Sequence, residues 1–173
     1  MLESTLTIEK ANITSITLED DTFTYDGYER SLAITGDLPS GASVSYSGNG
    51  QTVAGTYEVT AVIDGGANYG DLELEATLTI APLGITVTAS DQTKSFGADD
   101  PALTYSFTPE LIIGDAFTGG LDRAEGENVG AHAITQGDLA LGSNYEISFE
   151  AATLTVLPAT RTLDFPALPE KTY

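Results

Sequence analysis

Few residues in this 173-residue chain have the types and spacing for chemistry. The richest groups are acidic. Glu19-Asp20-Asp21, Asp99-Asp100 and Asp64 stand at or near turn signals, and their oxygens suit a hard divalent cation such as calcium. None follows the Asp-x-Asp-x-Asp-Gly spacing of an EF-hand loop, so solvated acidic turns are the first reading and a low-affinity calcium site built from Glu19, Asp20, Asp21, Asp99 and Asp100 is the second. His132 is the single histidine. Without further nitrogen or sulfur ligands it makes no zinc site, and no Ser or Cys nucleophile stands out near it. Lys10 and Lys94 raise a third chemistry, an amide bond from lysine to Asn or Asp promoted by an acidic neighbour, for which the sequence names no partner. Paired carboxylates for glycoside hydrolysis need a concave pocket, which thin β-modules seldom provide. The expectation is a protein that is not an enzyme.

The elements that position these residues come in repeats. Thr5-Leu6-Thr7, Thr77-Leu78-Thr79 and Thr153-Leu154-Thr155 are each followed by a β-branched residue, and the leucines lie 72 and 76 residues apart. An aromatic follows each leucine after 19, 18 and 19 residues: Tyr25, Phe96 and Tyr173. These recurring aromatics, beside Gly27 and Gly97 in the first two cases, read as module-core residues at a tight turn, with a sugar-stacking platform as the sharper alternative. The period divides the chain into a first module at 1–81, a second at 82–158 and the start of a third at 159–173. Pro82 and Pro158 close the repeated strand, since proline cannot donate to a ladder. With no flexible linker at either place, an elongated rod is expected.

Residues Asp71 to Ile80 alternate strictly, with Leu72, Leu74, Ala76, Leu78 and Ile80 on one face. That is the pattern of a half-buried antiparallel strand. Tyr57 to Ile63 alternates in the same way, and Asp64 to Asn68 supplies a hairpin turn between the two. Ile13–Leu18, Phe23–Tyr25, Leu32–Ile34 and Ala42–Tyr46 are shorter strand candidates. In the second module Ile85–Ala89, Leu103–Phe107, a strand at Ile134 and a closing hairpin through Asn144-Tyr145 repeat the plan. Tyr145, Ile147 and Phe149 lie in one phase and Ala152, Leu154 and Val156 in the other, which requires a bulge or break near Glu150-Ala151. Leu111 to Leu121 is the least strand-like stretch. The fold class is therefore all-β, two tandem immunoglobulin-like sandwich modules, with a β-grasp module carrying a short helix at Leu111–Gly119 as the alternative.

Composition narrows the partners. Against 26 Asp and Glu stand 6 Lys and Arg, and a net charge of −20 repels nucleic-acid phosphates and anionic lipid. Hydrophobic residues make up 41% of the chain, enough for a globular rather than a disordered protein. There is no cysteine, which excludes disulfides and thiolate chemistry and leans toward a bacterial surface protein over a small secreted animal domain. Met1-Leu2-Glu3 reads as an artificial start within a longer protein, so any export signal or anchor is expected outside these residues, and direct membrane insertion is not expected.

Lys94-Ser95-Phe96-Gly97, Asp100-Pro101-Ala102-Leu103, Gly114-Asp115, Asn128-Val129-Gly130 and Asn144-Tyr145, in that order, make the second module resemble the MBG domain of the YGX type. Through Phe23-Thr24-Tyr25-Asp26-Gly27 and Val53-Ala54-Gly55-Thr56-Tyr57, the first module is similar to the related repeats with a Tyr-Asp-Gly motif. Phe165 to Tyr173 resembles the opening of another such unit, and Phe165 and Leu168 are expected to borrow contacts from a sheet edge. Phe96 departs from the usual tyrosine, and His132 from the usual Gly-x-Tyr. The resemblance implies tandem repeats of a large bacterial secreted or surface protein, many of which are adhesins. It makes neighbouring repeats the expected partners and host glycan or mucin the alternative one; accessory domains of an extracellular enzyme are the third possibility. Far-UV circular dichroism is expected to show β-sheet, and a helix content above about a fifth would contradict the assignment.

Overall fold

The computed structural model describes residues 6–161 and Asp164. The third-module start expected at 159–173, with Tyr173, Phe165 and Leu168, lies outside them except for its first residues and Asp164. Eleven strands and no helix occur among the described residues. They are β1 (Asp21–Thr24), β2 (Ser43–Ser47), β3 (Gly55–Asp64), β4 (Leu72–Ala81), β5 (Leu83–Ala89), β6 (Gln92–Ser95), β7 (Tyr105–Thr108), β8 (Asp122–Arg123), β9 (Gly130–Thr135), β10 (Tyr145–Glu150) and β11 (Ala152–Leu157). The fold is all-β, as expected, and the helix of the β-grasp alternative is absent. Leu111–Gly119 instead holds a turn in which the Asp115 amide donates to the Ile112 carbonyl at 3.0 Å, followed by a bridge from Thr118 to Ala140.

Contacts gather the chain into two compact units. One comprises Met1–Ile85 with Leu111–Ala116 and Leu141–Glu146; the other comprises Thr86–Glu110, Phe117–Ala140 and Ile147–Tyr173. In the first, a four-stranded sheet runs β1-β4-β3-β2. Here the alternation read from the sequence becomes a ladder: β3 and β4 pair antiparallel from Gly55 opposite Ile80 to Ile63 opposite Leu72. The inward residues Val59, Ala76 and Leu78, with Leu32, form a core against which Leu18, Phe23 and Tyr57 pack. The edge strand β1 runs parallel to β4, Asp21 opposite Leu78 and Thr24 opposite Ala81.

The second unit builds the same sheet from the second repeat, in the order β6-β11-β9-β8. Leu154 stands opposite His132 as Leu78 stands opposite Tyr57, and β6 lies parallel to β11 with Gln92 opposite Leu154. Ala89, Ile134 and Leu154 are its core, joined by Leu103, Leu121, Phe149 and Ala152. The rings of Tyr105, Phe107 and Phe117 cluster edge to face or tilted beside it, with centroids 5.1–6.5 Å apart.

Several expectations need correction. Ile13–Leu18 and Leu32–Ile34 are not strands; Thr17 and Thr35, the latter just after the second segment, exchange a single pair of backbone hydrogen bonds, at 3.0 and 2.8 Å. Stretches this short supply too few cross-strand pairs to extend the ladder. The closing hairpin of the second repeat is split as well. The break expected near Ala151 exists, yet it does more than shift phase: β11 pairs with β9, while β10 joins a separate three-stranded sheet ordered β10-β5-β7. Two opposite phases are both satisfied because each faces a different sheet.

Leu78 and Leu154 are fully buried at the same position of the repeated sheet. Replacing either by alanine removes buried methyl groups and leaves a cavity, a loss of about 2–5 kcal/mol. Urea unfolding followed by tryptophan-free near-UV signals from the tyrosines is expected to show the loss for Leu78→Ala and Leu154→Ala alike.

Candidate functional site

Two constellations of polar side chains stand out, one in each unit. In the first unit, β1 ends and the chain turns at Tyr25-Asp26-Gly27, where Gly27 adopts a φ of 79° that only glycine takes readily. The Tyr25 amide donates to the carbonyl of Ala81 at 2.8 Å, which fixes its side chain inward. Its hydroxyl donates to Asp115 Oδ2 at 2.9 Å, and the hydroxyl of Tyr145 donates to the same oxygen at 2.7 Å. The two rings meet edge to face with centroids 5.5 Å apart. Tyr145 Oη also accepts from the Ile112 amide at 3.0 Å, and Asn144 Oδ1 accepts from the Ala54 amide at 2.8 Å. Burial, reinforced by the Asp115 carboxylate, raises both phenols above their ordinary value of 10.0, Tyr145 to about 12. At neutral pH both are hydrogen-bond donors, not bases or nucleophiles. The cluster is built to hold segments together.

The second constellation centres on Lys94 of β6. Its position in the sheet, opposite Val156, is that of Phe23 opposite Ile80 in the first unit. Phe23 carries the guanidinium of Arg30 over its ring, 4.7 Å from the centroid, whereas Lys94 buries an ammonium. A buried cation requires paired carboxylates. Lys94 Nζ meets Asp100 Oδ1 at 2.5 Å and Glu127 Oε2 at 2.6 Å, and Arg123 reaches the same two side chains, Asp100 Oδ2 at 2.6 Å and Glu127 Oε1 at 2.5 Å. Hydrogen bonds from Arg123 and then Lys94 hold the Asp100 carboxyl down at about 2, those from Lys94 and then Arg123 lower Glu127, and the hydrogen bonds to Asp100 and then Glu127 raise Lys94 and Arg123. The structure thus supplies the acidic neighbours that the sequence could not name for Lys94. Their electrostatics oppose amide formation, because an ammonium is no nucleophile and an ionised carboxylate is a poor electrophile. What remains is a four-member ion network.

The acidic calcium candidates fall apart into separate roles. Asp20 Oδ1 accepts the amide of Thr77 at 2.6 Å, and Asp91 accepts that of Thr153 at 2.8 Å in the same place of the second repeat. Asp20 therefore satisfies the backbone donor next to the repeated leucine. Asp21 accepts from Thr22 at 2.7 Å; Glu19, Asp20 and Asp21 line an open depression of about 390 Å³ with Ser31, Leu32, Ala33 and Thr35. Asp100 is engaged by Lys94 and Arg123, and Asp99 is exposed. Among the described residues no three His, Cys, Asp or Glu side chains converge as metal ligands. Asp64 accepts from Gly66 at 2.8 Å in its own turn, and Lys10 is exposed. His132 contacts the Asn128 carbonyl through Nε2 at 2.9 Å. Phe96, expected in a module core, is instead 50% exposed.

Residues 85–155 match the family model described as MBG domain (YGX type), a match lying within the second repeat. No curated protein matches the chain. Among solved structures the chain is similar to the Clostridium thermocellum CbhA fibronectin(III)-like modules, at 12% identity and a TM-score of 0.32, over 87% of this chain and 100% of that one.

The ion network carries a pH dependence of definite sign. Asp100 falls from 3.8 to about 2 on folding, so its stabilisation is present above pH 3.8 and is lost as pH drops through about 2. Urea midpoints measured across this acid range are expected to fall more steeply for the native chain than for Asp100→Asn, which is less stable at neutral pH and lacks this part of the acid limb.

Proposed function

We propose that this chain is a non-catalytic repeat segment of a bacterial secreted or cell-surface adhesin, serving as a stalk or spacer for recognition regions elsewhere in the polypeptide. The observation that carries the reading is the duplication of one sheet in one register, with Leu78 and Leu154, Asp20 and Asp91, and Tyr25 and Phe96 each at matching positions. Building one module twice extends a chain without adding chemistry. The MBG match over 85–155 supports it, and so does the resemblance of the first repeat to Tyr-Asp-Gly modules. In this reading the acidic surface keeps the segment soluble outside the cell, and the titratable clusters serve cohesion: protonated phenols clamp Asp115, and the carboxylates of Asp100 and Glu127 neutralise Lys94.

One observation favours the second reading, a glycan- or mucin-binding module, namely the exposed ring of Phe96, since sugars stack on accessible aromatics. Glycan arrays and mucin-coated surfaces probed with the 173-residue chain distinguish the two. The spacer reading expects no saturable binding. Saturable binding that disappears in Phe96→Ala would replace it with the adhesion-module reading.

A further inference from the structure

Each repeat ends its sheet with the same three neighbours on adjacent strands, and the two ends differ in what lies on them. In the first unit these are Tyr25 after β1, Ala81 at the end of β4 and Ala54 before β3. Tyr25 lies under Asp115 and Tyr145, and the Ala54 amide is held by Asn144. The corresponding residues of the second unit are Phe96 after β6, Leu157 at the end of β11 and Val129 before β9, because the Phe96 amide donates to Leu157 at 2.7 Å as that of Tyr25 does to Ala81, and Gly130 pairs with Val156 as Gly55 pairs with Ile80. Here all three are apolar and open, 50%, 46% and 54% exposed. The glycines beside the aromatics mark the same contrast. Gly27 and Gly97 share the left-handed conformation, φ 79° and 83°, yet a Cβ on Gly27 would come within 2.7 Å of Ile112 Cγ2, while one on Gly97 would meet nothing within 4 Å.

From this correspondence, which rests on the repeat-segment reading, we infer that the patch of Phe96, Leu157 and Val129 is the seat for a following repeat of the same kind. Its occupant is the pair of segments that a repeat uses on Tyr25: a Gly-Asp turn and an Asn-Tyr turn, as in Gly114-Asp115 and Asn144-Tyr145. The first repeat carries both sequence pairs, in Gly36-Asp37 and Asn68-Tyr69, and Gly36 and Gly114 have similar positive φ angles, 107° and 102°. The incoming tyrosine packs on the Phe96 ring, the incoming asparagine takes the Val129 amide, and Leu157 is covered as the chain passes on. Phe96 lacks the hydroxyl that Tyr25 gives to Asp115, so this seat holds by ring packing and the asparagine bond alone.

The test compares the 173-residue chain with a longer one in which a second copy of residues 83–158 continues directly from Pro158. In the longer chain Phe96→Ala is expected to lower the melting temperature of the second unit by about 4–8 °C, the shift typical of one lost medium-strength contact in a small domain, and to leave the shorter chain nearly unchanged. Alanine at the copied Tyr145 produces the same drop without touching Phe96, and Phe96→Tyr raises the melting temperature by restoring a donor to the copied Asp115. An equal effect of Phe96→Ala in both chains, or no effect of the copied Tyr145 change, overturns the inference. Concentration-dependent association of the shorter chain that Phe96→Ala abolishes assigns the patch to a second copy and overturns it too. Glycan binding at Phe96 with thermal coupling intact defeats the spacer reading while leaving the seat in place.

Discussion

The constraint on which the structure depends is the parallel pairing of an early edge strand of each repeat, β1 or β6, with its last, β4 or β11. A parallel partner cannot come from a tight hairpin, so the chain must leave β1, complete β2 and β3, and return as β4 before the edge closes. The pairing also brings the end of β1 beside the end of β4, and the end of β6 beside the end of β11. Tyr25 and Phe96 therefore emerge at the exit of their sheets, next to the prolines that end the ladders. Asp20 and Asp91 support the other end of the same pairing by accepting the amides of Thr77 and Thr153.

Around this frame, the two repeats solve one packing problem with different chemistry. The inward position of the edge strand holds Phe23 in one sheet and Lys94 in the other. Phe23 contributes apolar burial and a ring for Arg30. Lys94 brings a charge whose desolvation must be offset, and Asp100 from the loop after β6, Arg123 of β8 and Glu127 from the loop between β8 and β9 provide that offset. An apolar residue, Phe23, fills the same place in the neighbour, so the sheet itself does not require a charge at this position.

Much of the fold was legible in the sequence because its signals are local. The period-two run from Leu72 to Ile80 and its partner at Tyr57–Ile63 became β4 and β3, paired antiparallel as the hairpin reading expected, and the phase conflict at Ala151 became a real break. The short segments were read less well. Ile13–Leu18 and Leu32–Ile34 have apolar residues enough for a strand, but their pairing depends on what lies beside them, and only Thr17 and Thr35 find each other. For the polar groups, spacing exposed candidates without assigning partners: Asp115, Tyr145 and Asn144 stood in the sequence as repeat motifs, with no signal that two hydroxyls 120 residues apart share one carboxylate oxygen.

The sequence by itself determined the repeat, the all-β class, the acidic surface and the exclusion of disulfide and thiolate chemistry, because each follows from composition or from a period along one strand. Tertiary structure alone decided that β10 and β11 part into different sheets, that Asp20 serves a backbone amide, that Lys94 is neutralised by Asp100 and Glu127, and that Tyr25 is covered while Phe96 is open. Tyr25 and Phe96 each stand close to a left-handed glycine and make the same backbone bond. Their burial differs because it is set by residues far along the chain, which no local pattern encodes.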